Sequence, residues 1–574
     1  MSDQTLFEQS NVSQGTTEPF VQRQTVYVID QNNGSYSGQI QADTASLSNS
    51  GKYASYSEAY FEVPLVLRLT ARSANAQIPA IQALEPSFAL GLKSGFHNIF
   101  HSYSIEYNNR SVVSLTPFSN IYTTFRLLTK LSQDDVEKYG SLIGFFKDTP
   151  TSVRYEGVGA SPFGHGSINN RNITQAAATV ADWASVVNGG YNEGFFKRQL
   201  TTTATNPAVA PTSGFFSTAS ASAIGYNYFL KGTVANNVDS KWWFVLATIR
   251  LKDLTDFFAK LPLVKGAFIK FQLNTNTAVH QIRVSVAGGV CTDISCLQNN
   301  IVGGSTPLLL ANGNQAGNGF NPIVQECINA GAGDYDFEIA LSIARDTTYN
   351  VQHPTLQALR CYVPLYTFNP TVESQYLSLN KSKKIVYTDI YQYQVDVSTS
   401  GGQGQFNQLL TNGITAIKSV IIVPFIGSSS NATGVGGLAP IAPFGSPFAT
   451  EPSTTSPYIA LSNFNLAVSG VNIYTLNELY DFSNFKDELS QANSVMGGIV
   501  DGLSSGLIGF NDFQTAYRYM YIDCSRRLPA EDFVAKSVQI SGTVYANQPN
   551  ISLYCFVEQI KEITVDLETG ALIG

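Results

Sequence analysis

Apolar residues recur at every second position over much of this chain. Leu65, Leu67 and Leu69 do so, as do Tyr391, Tyr393, Val395 and Val397. Near the end of the chain the same rhythm runs through Ile551, Leu553, Cys555 and Val557, then through Ile563, Val565 and Leu567. A period of two marks strands with one buried face, which points to antiparallel sheets packed as sandwiches. Residues 242–249, 359–368 and 420–425 are more continuously apolar and read as buried strands. Helical signals are few and short. Thr116 is a good N-cap with Pro117 at N1, and Phe118, Ile121, Tyr122, Phe125 and Leu128 then fall on one face. Thr475 and Glu478 form a capping box ahead of Leu476, Leu479, Tyr480 and Phe482, which predicts a second helix. Asp253, with Asp256 three residues on, predicts a short helix opening at Asp253. Pro262 and Gly266 close the connector that follows, and residues 267–274 run extended.

The order of these signals repeats. Aligning Asp256 with Asp532 also matches Phe257 with Phe533, Ala259 with Ala535, Lys260 with Lys536, Gly266 with Gly542, Asn274 with Asn550 and Arg250 with Arg526, without a gap. Each half then reads as strand, helix, variable loop, strand, short helix, strand: one architecture built twice. Residues 148–240, 299–322 and 427–458 lose all periodicity and are rich in small polar residues, so they are expected to be long loops. The interval from Thr116 to Asp256 is more than twice that from Thr475 to Asp532, which places the largest insertion in the first half. The expected division is an arm over 1–20, a first unit over 21–375 and a second over 376–574.

Composition sharpens the picture. Only 13% of residues are charged, against about 25% in ordinary soluble proteins. Hydrophobic residues make up 44% and aromatic ones 12%. Uncharged hydrogen-bonding side chains replace the missing charge, a surface that suits a protein covered by neighbours. Net charge is −8, and the densest basic patch is Lys381, Lys383 and Lys384. Strong nucleic-acid binding by the chain's own charge is therefore not expected. The first twenty residues are polar and acidic with no apolar stretch, so no secretory signal is expected. Residues 420–425 are too short to span a bilayer, and 495–510 carry Asp501 and several glycines. Cysteines at 291, 296, 327, 361, 524 and 555 show no C-x-x-C spacing and read as reduced, mostly buried thiols.

Candidate chemistry gives way to plainer readings. Residues 502–506 match G-x-S-x-G, but the last histidine is His353, so the hydrolase order with a histidine after the serine is missing. His97 and His101 are four apart, yet Gly95 and strand-like surroundings argue against one helical face. His165, His280 and His353 are isolated, and Cys291 with Cys296 lacks a second ligand pair for zinc. Asp134 with Asp135, and Glu531 with Asp532, fall in expected first turns of helices, where capping explains them. Asp334, Asp336 and Glu338 lack an EF-hand pattern. Trp242 and Trp243 read as packing residues rather than a sugar- or base-stacking face. Sequons at Asn109, Asn172, Asn431 and Asn550 carry little weight without a secretory signal.

Four stretches carry a resemblance: 249–258 with 261–266, 377–380 with 383–387, 406–413, and 418–425. With the repeated plan, they resemble the double jelly-roll major capsid proteins of tailless icosahedral DNA viruses, a lineage that includes adenovirus hexon. Within it, the chain is most similar to those of polinton-like viruses and virophages. The resemblance implies an all-β fold of two tandem eight-stranded antiparallel jelly rolls, with long loop insertions and few short helices. It implies a homotrimeric, pseudo-hexagonal capsomer tiling the shell of a double-stranded DNA virus, with the aperiodic segments as outer towers. The implied partners are neighbouring capsomers, a single jelly-roll penton protein and minor capsid or cement proteins; an internal membrane stays open. Synthesis in the host cell and residence in the virion follow. No catalytic, cofactor-binding or metal-binding residue is expected. A tandem β-sandwich that binds or cleaves carbohydrate, or another self-assembling surface-layer protein, would share much of this composition.

Overall fold

The computed structural model describes residues 18–32, 38–71, 90–148, 227–234, 238–301, 331–343, 358–399, 402–426, 459–495, 506–515, 517–525, 534–545 and 550–573, with short pieces at 34, 36, 155–156, 167–168, 197–198, 308–310, 345–346 and 351–352. Sixteen strands carry the architecture. In the first half they are β1 (Phe20–Ile29), β2 (Gln39–Asp43), β3 (Tyr60–Ala71), β4 (Phe100–Tyr107), β5 (Arg110–Val113), β6 (Val238–Arg250), β7 (Ile269–Thr275) and β8 (Arg360–Phe368). In the second they are β9 (Ser382–Ser398), β10 (Gln403–Ile414), β11 (Ile417–Ile426), β12 (Ala460–Val468), β13 (Val471–Asn472), β14 (Met520–Asp523), β15 (Lys536–Tyr545) and β16 (Asn550–Asp566).

The pairings define the fold. In the first half one sheet runs β1-β8-β3-β6 and the facing sheet β2-β7-β4-β5, all antiparallel. In the second half the sheets run β9-β16-β11-β14 and β10-β15-β12-β13. Counted from the first strand of each half, both give 1-8-3-6 facing 2-7-4-5. That order is a jelly roll, and it occurs twice. Inward residues of β3 (Phe61, Val63, Leu65 and Leu67) are buried, as the period-two pattern requires. Pro64 has no N–H for a ladder. It lies where the neighbour on one side of β3 changes from β8, ending at Glu62, to the strand Gly333–Ile343, beginning at Leu65. That strand belongs to an insertion between β7 and β8, whose hairpin Ala278–Ala287 and Val290–Ile301 extends the first sheet.

Helices lie between the fifth and sixth strands of each roll: α1 (Ser119–Lys130) and α2 (Gln133–Ile143) in the first, with α3 (Leu251–Leu254) and α4 (Asp256–Lys260) following β6. Helix α5 (Pro370–Asn380) joins the rolls, and α6 (Phe482–Val495) and α7 (Phe510–Thr515) belong to the second. Several local expectations are corrected. Helix α1 starts at Ser119, because Thr116 donates its hydroxyl to Ile390 O at 2.7 Å and Phe118 turns into the left-handed region. Thr255, not Asp253, caps α4; Asp253 is held by Arg250 at 2.7 Å. Helix α6 starts at Phe482 behind Asp481, whose carboxylate accepts from Ser483 N and Asn484 N. Residues 478–480 pair with β12 instead of coiling, and Leu476 and Leu479 are exposed. The repeated element order holds, but its ungapped register does not: Gly266 turns ahead of β7, whereas Gly542 lies inside β15 opposite Phe406.

Candidate functional site

Two features stand out from the packing: the junction between the rolls and the free edges of their sheets. The junction begins with the long strands. β9 and β16 pair over all 17 positions without a bulge. One end of this ladder (Ile385, Tyr387, Ile563 and Val565) packs in the core of the first roll, and the other (Val395, Val397, Ile551 and Leu553) in the core of the second. In return, α1 of the first roll sends Ile121, Tyr122, Phe125 and Leu128 into the second core. Tyr122 lies 5.9 Å from Phe556, and Phe125 lies 5.6 Å from Tyr519, ring centre to ring centre.

Charged groups line this seam in three pairs, with Asp389, Glu558 and Lys418 buried and Lys561, Arg126 and Asp256 half-buried. Asp389 on β9 accepts from Ser114 Oγ at 2.8 Å and from Lys561 Nζ at 2.5 Å. Burial disfavours the Lys561 ammonium, but Asp389 outweighs it and raises the pKa above the ordinary lysine value. Glu558 on β16 accepts from Tyr122 and Ser419, with Lys418 Nζ at 3.4 Å. Arg126 on α1 is paired with Asp256 and donates to Leu254 O at 3.3 Å. Burial alone would push the Asp256 carboxyl up; Arg126, helped by Lys418, holds it well below the usual carboxylate range. Three cations thus meet three carboxylates along the seam.

A close backbone clasp completes the junction. Gly266 of the first roll and Gly570 beyond β16 both have positive φ, and each would drive a Cβ to 2.6 Å from a carbonyl oxygen of the other segment, Thr569 O and Lys265 O respectively. Asn108 Nδ2 donates to Gly570 O at 2.6 Å, and Lys265 N to Leu567 O at 3.1 Å.

The free edges are the second feature. Among the described residues β1 pairs only with β8, and β10 only with β15. β1 exposes Val21 (68%), Tyr27 and Ile29, and β10 exposes Leu409. Val471 on the edge strand β13, and Leu476 (76%) and Leu479 after it in the chain, are also exposed. Unpaired strand edges with apolar side chains are templates for further pairing or packing.

The residues weighed from sequence do not converge. His97 is buried in the single turn Phe96–Ile99, its Nε2 2.8 Å from Thr124 Oγ1. His101 is on β4 against Phe118, and His280 is on the inserted hairpin. Asp135 forms a capping box with Ser132, and Asp134 pairs with Lys138. Asp334 and Asp336 face Arg283, while Glu338 pairs with the buried Arg68. Among the described residues, no group of three or more His, Cys, Asp or Glu side chains could hold a metal ion. No helix there is long and apolar enough to cross a membrane. Trp242 and Trp243 are on β6, and Cys291 and Cys296 on the strand Val290–Ile301. Asn109 lies in the turn between β4 and β5, and Asn550 opens β16. Residues 502–505, His165, His353, Glu531, Asp532, Asn172, Asn431 and Cys327 lie outside the described residues, as do the arm over 1–17 and most of the expected loops at 148–240, 299–322 and 427–458.

The chain is thus a double jelly roll, defined by its own strand pairings. No family model matches it, and no curated protein matches it in sequence. Solved structures similar to it include that of the Sputnik virophage by cryo-EM, at 10% identity and a TM-score of 0.49, covering 97% of this chain and 89% of that one. A quasi-atomic model of the PBCV-1 virus capsid overlays at 8% identity and 0.41, covering 98% and 99%. The Faustovirus major capsid protein does so at 10% identity and 0.39, covering 96% and 91%.

Proposed function

We propose that this protein is the major capsid protein of a tailless icosahedral double-stranded DNA virus of the polinton-like or virophage kind, without enzymatic activity. The observation that carries this reading is the duplicated 1-8-3-6/2-7-4-5 strand order, with the two rolls locked through shared core residues. Two such rolls per chain give six in a homotrimer, a pseudo-hexagonal block able to tile a flat face. Low charge and exposed apolar edges support a surface that neighbouring copies cover. In this reading the chain divides within α5, into a first unit to 375 and a second from 376. The residues before β1 form an arm, and the long insertions form the outer towers. Neighbouring capsomers, a penton protein and minor or cement proteins are its partners, and the virion is its location.

Light scattering on the purified protein, with negative-stain images of the same peak, tests this. The expected result is a species near three times 62.2 kDa with a pseudo-hexagonal outline. A monomer that binds or cleaves a glycan overturns the proposal in favour of a tandem β-sandwich acting on carbohydrate. Sheet-like or filamentous arrays point instead to a surface-layer protein.

A further inference from the structure

We infer that neither roll is a self-sufficient folding unit. Each lends the other part of its core, so the two unfold together, and the chain connection through α5 is not what holds them. This does not rest on the capsid reading. It follows from the reciprocity of the junction. The first core contains Ile385, Tyr387, Ile563, Val565 and Leu567 from the second roll, and Tyr387 donates its hydroxyl to Val112 O at 2.7 Å. The second core contains Ile121, Tyr122, Phe125 and Leu128 from the first. Removing the first roll exposes Ile385, Tyr387, Ile563, Val565 and Leu567 and leaves Asp389, whose side chain is fully buried, without Ser114; removing the second exposes Ile121, Tyr122, Phe125 and Leu128. Burial of this kind drives cooperative folding, because no surface is left on which one roll can close alone.

The α5 connection is of a different kind. Its described residues are all half-buried or exposed, and Leu379 is 82% exposed. Its ties to the first roll include the Tyr53 hydroxyl donating to Glu373 at 2.9 Å and the Tyr376 hydroxyl donating to Leu263 O at 2.9 Å. The ladder, the helix plug and the glycine clasp lie elsewhere, so cutting α5 spares them.

Tryptophan position makes the test direct. All three tryptophans, at 183, 242 and 243, precede the second roll, so fluorescence excited selectively at tryptophan reports the first half alone, whereas far-UV circular dichroism reports both. Phe556→Ala, deep in the second core, is compared with the full-length wild type in urea, with Ile422→Val as a milder variant that keeps the fold. The expected result is that the fluorescence midpoint falls by as much as the dichroism midpoint. A fluorescence midpoint that stays at the wild-type value while dichroism splits into two phases overturns the inference. Independently, a protease site inserted after Leu379 is cut in the native full-length chain. The two fragments are expected to co-elute as one species in native buffer and to separate only in denaturant. Fragments that separate in native buffer refute the idea that the junction, rather than the linker, holds the rolls.

Discussion

Truncating Phe125 to alanine tests how firmly the first roll's helix is seated in the second. The ring is 2% exposed and lies 5.6 Å from the ring of Tyr519 and 6.3 Å from that of Tyr521. Deleting a buried phenylalanine side chain costs about 3–5 kcal/mol through lost transfer energy and the cavity left behind. Stacked and tilted neighbours add about 0.5–1.5 kcal/mol per pair. Domain stabilities are about 5–15 kcal/mol, so the loss is a large fraction of the whole. Urea unfolding followed by dichroism should place Phe125→Ala at least 3 kcal/mol below wild type, on the order expected for a buried ring. Phe125→Leu, which keeps most of the volume, should lose about 1.5 kcal/mol or less. Leu142→Ala, half exposed on the neighbouring α2, is the control and should stay within about 0.5 kcal/mol. If Phe125→Ala is no worse than Leu142→Ala, the helix does not plug the second core and the packing argument fails.

Further expectations follow from the junction and its surroundings. Gly266→Ala, with φ of +72° and Thr569 O in the way, should cost more than Gly288→Ala, which has φ of +62° but nothing within 4 Å; equal losses would mean that the clasp is not tight. Lys561→Met strands the buried Asp389 carboxylate and should cost about 3 kcal/mol in chemical denaturation, while Asp389→Asn combined with Lys561→Met recovers part of it. A double variant as unstable as Lys561→Met alone would show that the stranded charge is not the cause. Burial, seconded by Arg198, lowers the His97 pKa to about 3, so the folded state keeps this ring neutral where an unfolded histidine takes a proton near pH 6.5. Its contribution is therefore complete above about pH 6.5 and shrinks as pH falls towards 3. Thermal midpoints of wild type should decline across that window, and His97→Gln should flatten the decline; an unchanged slope would remove His97 as the source.

Much of the scaffold is readable in the sequence because strand alternation is local. The inward residues of β3 and the C-terminal alternation mark real strands, and the α1 face of Ile121, Tyr122, Phe125 and Leu128 is buried as its spacing demands. Errors arise where a distant partner overrides a local signal. The box at Thr475 and Glu478 is a sound helix start in isolation, but pairing of 478–480 with β12 moves the start to Phe482. Ile551 to Val557 and Ile563 to Leu567 read as two strands because Glu558, Lys561 and Glu562 interrupt them, yet β16 is continuous. Two of those charges, Glu558 and Lys561, are spent inside the junction, on Tyr122, Ser419, Lys418, Ser114 and Asp389. Nothing local marks a charged residue in a strand as buried when its partner lies hundreds of positions away.

The unbroken pairing of β9 with β16 also governs how this sequence can drift in length. At about 3.3 Å per residue it spans roughly 56 Å. Lengthening a surface loop costs only slowly growing closure entropy, so the segments between strands can gain or lose residues with little penalty. A single residue inserted midway along β9 is another matter. It would reverse every side chain beyond it, turning Val395 and Val397 out of one core or Ile385 and Tyr387 out of the other. Descendants of this chain can therefore vary in size at their loops, while Ser382–Ser398 and Asn550–Asp566 must change together, by matched even steps, or not at all.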